Sequence, residues 1–125
     1  MRKKIFIFLL PLAVLSSCYY DSAERLYNDI PCESGEVSYK DVVLPILNAN
    51  CYECHSIENA PVSGESIVLE GYNNLTVYLA SNEETFISAI EQNGKAKPMP
   101  KNNTKLGKCS IQALEDWIAQ GKNDN

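Results

Sequence analysis

Cys51-Tyr52-Glu53-Cys54-His55 is the stretch that decides how this chain is built. Two thiols at this spacing on a short helical turn reach the two vinyl groups of one porphyrin and bond to them as thioethers. The histidine that follows presents an imidazole nitrogen to the iron. The run is therefore read as the attachment site of one covalent haem, anchored by Cys51 and Cys54, with His55 as proximal iron ligand. Two other uses of paired cysteines compete. A zinc knuckle needs a second Cys/His pair to complete four ligands, yet His55 is the only histidine, and Cys32 and Cys109 are single and far apart. A thioredoxin-like dithiol belongs to a βαβ context and needs no ligating histidine, and no segment here reads as βαβ.

The amino-terminal residues point to the same compartment independently. Met1-Arg2-Lys3-Lys4 is a positive start, and Ile5 to Val14 is a short apolar run interrupted only by Pro11. This pattern reads as a secretory signal, too short to span a bilayer permanently. It closes on Leu15-Ser16-Ser17-Cys18, which resembles a bacterial lipoprotein box. Residues 1–17 are then the removed signal, and Cys18 is the lipidated new N-terminus of a tether over 18–37. An ordinary signal peptide with a chance cysteine is the competing reading, but it leaves an exposed thiol in an oxidising compartment. Bacteria attach haem to such a motif outside the cytoplasm. Both signals thus place the protein in the bacterial cell envelope, held to a membrane by lipid and facing the periplasm or exterior.

With Cys18, Cys51 and Cys54 assigned, two of the five cysteines remain. An even remainder in an exported chain points to a Cys32–Cys109 disulfide, with two unpaired thiols as the alternative. Cleavage after residue 17 leaves 108 of the 125 residues, enough for one domain. It removes three of the 11 basic residues and none of the 16 acidic ones, for a net charge of −8. So acidic a chain excludes nucleic acid as a natural partner.

Residues 38–121 carry the periodic pattern and form the expected domain, with 122–125 as a short tail. Val42, Val43, Ile46 and Leu47 share one helical face running towards Cys51, with Pro45 either kinking that helix or marking its regular start. Ser56 to Ser66 reads as loop. Leu75, Tyr78 and Leu79 mark a short helix after Gly71. Ser81-Asn82-Glu83-Glu84 reads as a capping box opening a further helix with Phe86, Ile87 and Ile90 buried, which stops at Asn93-Gly94. The last helix begins at Ser110, carries Ile111, Leu114, Trp117 and Ile118 on one face, and ends at Gly121. The expected fold class is all-α: three to four helices around the haem, with long loops.

Once Met1 leaves with the signal, Met99 is the only methionine, and no second histidine exists. It lies in Lys97-Pro98-Met99-Pro100, where the prolines hold the backbone extended and bar a helix. Met99 is read as the distal iron ligand, the alternative being ordinary apolar packing.

Helix, C-x-x-C-H, loops, Met-Pro loop and aromatic-bearing last helix, in that order, resemble a single-haem class I c-type cytochrome. Val43-Leu44-Pro45-Ile46-Leu47 before Asn50-Cys51, Met99-Pro100, and Trp117-Ile118 with Gly121 are similar to small cytochrome-c-like domains of bacterial lipoproteins and periplasmic proteins. The resemblance covers about residues 38–121. It implies a small cytochrome c-like fold, one haem c, and Trp117 packed against the first helix. The first helix lacks the glycine that allows a close crossing in mitochondrial-type relatives, so Ala49 or a wider crossing is expected to serve. The family's carbonyl partner for the proximal imidazole has no clear counterpart, with Pro61 the nearest candidate.

Lys95, Lys97, Lys101, Lys105 and Lys108 cluster where no acidic residue occurs between Glu91 and Glu115. They read either as a basic rim steering an acidic redox partner or as a solvated loop. The expected function is a lipid-anchored electron carrier, not an enzyme. The alternatives are a haem-based small-ligand sensor and an accessory haem module of a larger exported complex. Peroxidase-type catalysis is disfavoured, since the only histidine is committed and no distal acid–base group remains.

Overall fold

The structure, a computed structural model, describes residues 32–101 and 104–125. The expected signal 1–17, the lipid site Cys18 and the tether as far as residue 31 lie outside the described residues. Within them every regular element is helical and none is a strand, so this part of the chain is all-α.

The first element opens with a π-helical turn, Tyr39–Val43, and continues as α1, Leu44–Asn50. Ser38 caps it, its hydroxyl accepting from the Asp41 amide at 3.1 Å. The widened turn has a cause in the sequence. In a regular helix the Pro45 ring would clash with the carbonyl of residue 41, and its missing N–H would leave that carbonyl unpaired. Bonds five residues long, Val43 N–H to Ser38 O at 3.2 Å and Leu44 N–H to Tyr39 O, bring the chain past this point. Pro45 then sits in the first turn of α1, where no donor is needed.

Two single-turn helices follow, α2 over Tyr52–His55 and α3 over Ala60–Ser63. The second interrupts the stretch read as loop. Helix α4, Tyr72–Glu91, is one run broken at Asn82, whose φ/ψ of −132°/20° is not helical. The break falls one residue beyond the expected serine cap. The side chain that serves it is Asn82, donating from Nδ2 to Tyr78 O at 3.0 Å, so the capping-box reading is corrected to an asparagine kink. Gln92, left-handed at φ 51°, ends the helix ahead of Asn93-Gly94.

Helix α5, Lys108–Ala119, starts two residues earlier than expected. It ends in a Schellman turn, with Lys122 N–H on Trp117 O at 3.0 Å, Gly121 N–H on Ile118 O at 3.1 Å, and Gly121 at φ +99°.

The core is Val43, Leu47, Leu75, Leu79, Leu114 and Trp117, each at most 1 % exposed. Tyr39 packs against Trp117 with ring centroids 5.6 Å apart and planes tilted by 36°, and Tyr72 meets Tyr39 edge-on at 5.2 Å. The Trp117 ring donates to Asn123 O at 2.9 Å and the Tyr72 hydroxyl to Lys122 O at 2.8 Å. Residues 122–125, set apart by sequence as a tail, are thus bonded to the core. The first and last helices cross at the π-helical turn, where Tyr39 and Val43 are buried. Ala49 is exposed, so the crossing is closed by a widened backbone and not by that small residue.

Cys32 and Cys109 are disulfide-bonded, with Cα atoms 5.3 Å apart across a sequence separation of 77. The bond ties the segment before the first helix to the first turn of α5. Replacing both cysteines by serine should lower stability by about 4–5 kcal/mol, because the unfolded chain regains the entropy of a long loop. Urea unfolding of both forms tests this. A loss under about 1 kcal/mol would show that loop closure contributes little here.

Candidate functional site

The motif residues form one compact turn. Cys51 closes α1, donating its amide to Leu47 O at 2.8 Å, and leaves helical geometry at φ −121°. The kink starts a fresh turn in which His55 N–H bonds to Cys51 O at 2.8 Å and Cys54 N–H to the same oxygen at 3.1 Å. Both thiols are free and half-buried. Burial pushes the Cys51 thiol up to about 11, so at neutral pH it is not the thiolate that thioredoxin-type exchange requires.

The orientation of His55 is set from behind. Its Nδ1 lies 2.9 Å from Ile67 O. A carbonyl only accepts, so Nδ1 carries the proton and the lone pair is left on Nε2. Leu69 N–H returns to His55 O at 2.9 Å, clamping residues 67–69 along the turn. The partner carbonyl is therefore that of Ile67, and the candidacy of Pro61 is corrected. Pro61 lies in α3, where its ring starts the turn. Two consecutive residues in the left-handed region, Glu65 at φ 54° and Ser66 at φ 62°, lie just before Ile67. Gly64 makes the close wrap possible. A Cβ there would lie 2.4 Å from Cys54 O, 2.9 Å from Ala60 Cα and 3.0 Å from His55 Nδ1.

Met99 sits on a second loop, anchored by its backbone to the end of α4. Its amide donates to Ala89 O at 2.9 Å, and its carbonyl accepts from Gln92 Nε2 at 3.2 Å. Its side chain is half-buried, with Pro100 buried beside it. Lys97 of this loop forms an ion pair with Glu65 of the loop behind His55. That pair links the segment holding the motif to the segment holding Met99. The charge and hydrogen bond of Lys97 lower the Glu65 carboxyl pKa.

The five lysines of the 95–108 segment are all exposed, but the folded chain mixes them with acids. Lys97 is taken by Glu65. Lys105 and Lys108 share a cavity of about 590 Å³ with Glu91, Glu115 and Asp116. Burial and the neighbouring Glu91 raise the pKa of the Glu115 carboxyl there. A second cavity, about 490 Å³, lies beside the disulfide. Neither has Cys51, Cys54, His55 or Met99 in its wall.

The donors around the motif fit a haem. Two unpaired thiols share one turn, one imidazole has its proton held on the far nitrogen, and a glycine cradle admits no further atom. Among the described residues no three His, Cys, Asp or Glu side chains converge as a metal site. No described helix is long and apolar enough to cross a membrane. Comparison with protein-family models, curated proteins and solved structures gives no match.

Proposed function

We infer that this chain is a lipid-anchored monohaem c-type cytochrome that carries single electrons in the bacterial cell envelope. The observation that carries this reading is the His55 turn. Its imidazole proton is tied to Ile67 O, two free thiols share its helical turn, and Gly64 packs against its back. Haem c would supply the one-electron iron couple. Cys51 and Cys54 would hold it covalently, and His55 would ligate through Nε2 with its basicity raised by the bond at Nδ1. Met99 would take the opposite iron position from a loop whose backbone is already fixed. Cys18 would fasten the chain to the membrane through lipid, acyl chains in pairs giving stable attachment.

One experiment reads the haem and the anchor together. The full chain, made in a bacterium that matures c-type cytochromes and purified from its membrane fraction, is weighed intact. The expected mass is that of residues 18–125 plus one haem and a diacylglyceryl modification with its acyl chain. An unmodified polypeptide overturns the proposal, and a haem-bearing soluble chain overturns the anchor alone.

A further inference from the structure

Resting on that haem reading, we propose that the segment wrapping the His55 turn is the docking face for a redox protein whose contact surface is apolar at its centre and ringed by lysine and arginine. Ile57 is 62 % exposed and Val62 90 %. Both lie on the stretch between His55 and Gly64, with Pro61 exposed beside Val62. The stretch is held open by polar bonds and does not collapse onto the core. Ile57 N–H donates to Glu70 Oε2 at 2.7 Å, Asn59 N–H to Ser56 Oγ at 3.1 Å, and Asn59 Nδ2 to Glu53 O at 3.0 Å. These bonds fix backbone that presents large apolar side chains to solvent, which is the condition of a preformed contact surface.

Charge says which partner fits. Residues 41–94 contain eight acidic side chains and neither lysine nor arginine. Glu53 and Glu58 are exposed and flank Ile57 in the sequence, Glu70 is bonded to Ile57, and Lys97 is already paired with Glu65. An acid-rimmed apolar centre attracts a base-rimmed one, speeds its approach and fixes its orientation. A second copy of this chain would meet its own charge and is disfavoured on the same ground.

The test uses the haem-bearing full chain and probes of opposite sign. Reduction by the cation hexaammineruthenium(II) should slow as salt is added, and oxidation by the anion ferricyanide should quicken. Glu53→Lys with Glu58→Lys should slow the cation reaction about tenfold. Glu33→Lys with Glu84→Lys, the same change of net charge placed elsewhere, should slow it no more than about twofold. With a strongly basic class I cytochrome as protein probe, Ile57→Ser with Val62→Ser should slow electron exchange severalfold and leave the ruthenium rate unchanged. Equal effects of the two charge pairs, or an unchanged protein-probe rate in the serine variant, overturn the docking face while the haem reading stands. A wild-type chain whose intact mass lacks haem overturns both.

Discussion

On the proposed haem reading, Met99→Ala is expected to turn an electron carrier into a ligand binder. After residue 17 the chain holds no other methionine and only one histidine, so nothing of equal softness can take the place opposite His55. Water, a lysine or an added ligand would fill it. A hard ligand no longer favours the reduced iron, and the midpoint potential should fall by roughly a few hundred millivolts, within the span that axial ligands control. The weak red absorption of a methionine sulfur bonded to ferric iron should vanish, and reduced protein should bind carbon monoxide. The fold itself should survive, because the Met99 backbone is held by Ala89 and Gln92 and its side chain is only half-buried. Optical titration with carbon monoxide and a potentiometric titration check this. A wild-type protein that already lacks the sulfur band and binds carbon monoxide would put the small-ligand sensor first.

The Cys51–His55 turn and the last helix are legible from residue type and local period. The packing of Trp117 against the first element is legible from the family resemblance, and the Cys32–Cys109 bond from the count of cysteines in an exported chain. The partner of the His55 ring was not legible, because Ile67 contributes a backbone carbonyl that any residue would supply. Its place depends on a left-handed pair at Glu65-Ser66, residue types that carry no signal for that conformation. The π-helical turn was half legible. Pro45 announces a disturbance, but whether it kinks the helix or widens the turn before it depends on packing against α5. The break in α4 falls one residue past the expected cap because the S-x-x-E spacing points to Ser81, while the neighbouring Asn82 is the residue that bonds back to Tyr78. The pairing of Lys97 with Glu65 is not legible in the sequence, since that acid approaches from another loop.

Those particulars converge on the chain behind the His55 imidazole. Ile67 holds the ring, Leu69 holds the backbone of His55 itself, and Glu65 reaches the loop that carries Met99. On the proposed haem reading, a change in residues 64–69 should therefore be felt at His55 and, through the Glu65–Lys97 pair, at the loop of Met99.

Gly64→Ala is the sharpest test of that dependence. The added methyl would meet two backbone atoms, Cys54 O at 2.4 Å and Ala60 Cα at 2.9 Å, and the His55 Nδ1 atom at 3.0 Å. Neither backbone atom is the end of a flexible side chain, so the wrap must open. The expected cost is about 3 kcal/mol or more, the upper range for overpacking a closed site. Opening should also lengthen the Nδ1–Ile67 bond, lower the basicity of the ligand nitrogen and shift the reduction potential upward. Gly71→Ala supplies the contrast. Gly71 sits at φ +85° with nothing within 4 Å of a built Cβ, so alanine there costs backbone strain alone, on the order of 1–3 kcal/mol. Both variants should unfold at lower urea concentration, but only Gly64→Ala should alter haem retention and potential. If Gly71→Ala moves the potential as far as Gly64→Ala does, general loosening of the fold, not the fit of residue 64 against His55, is what tunes the iron.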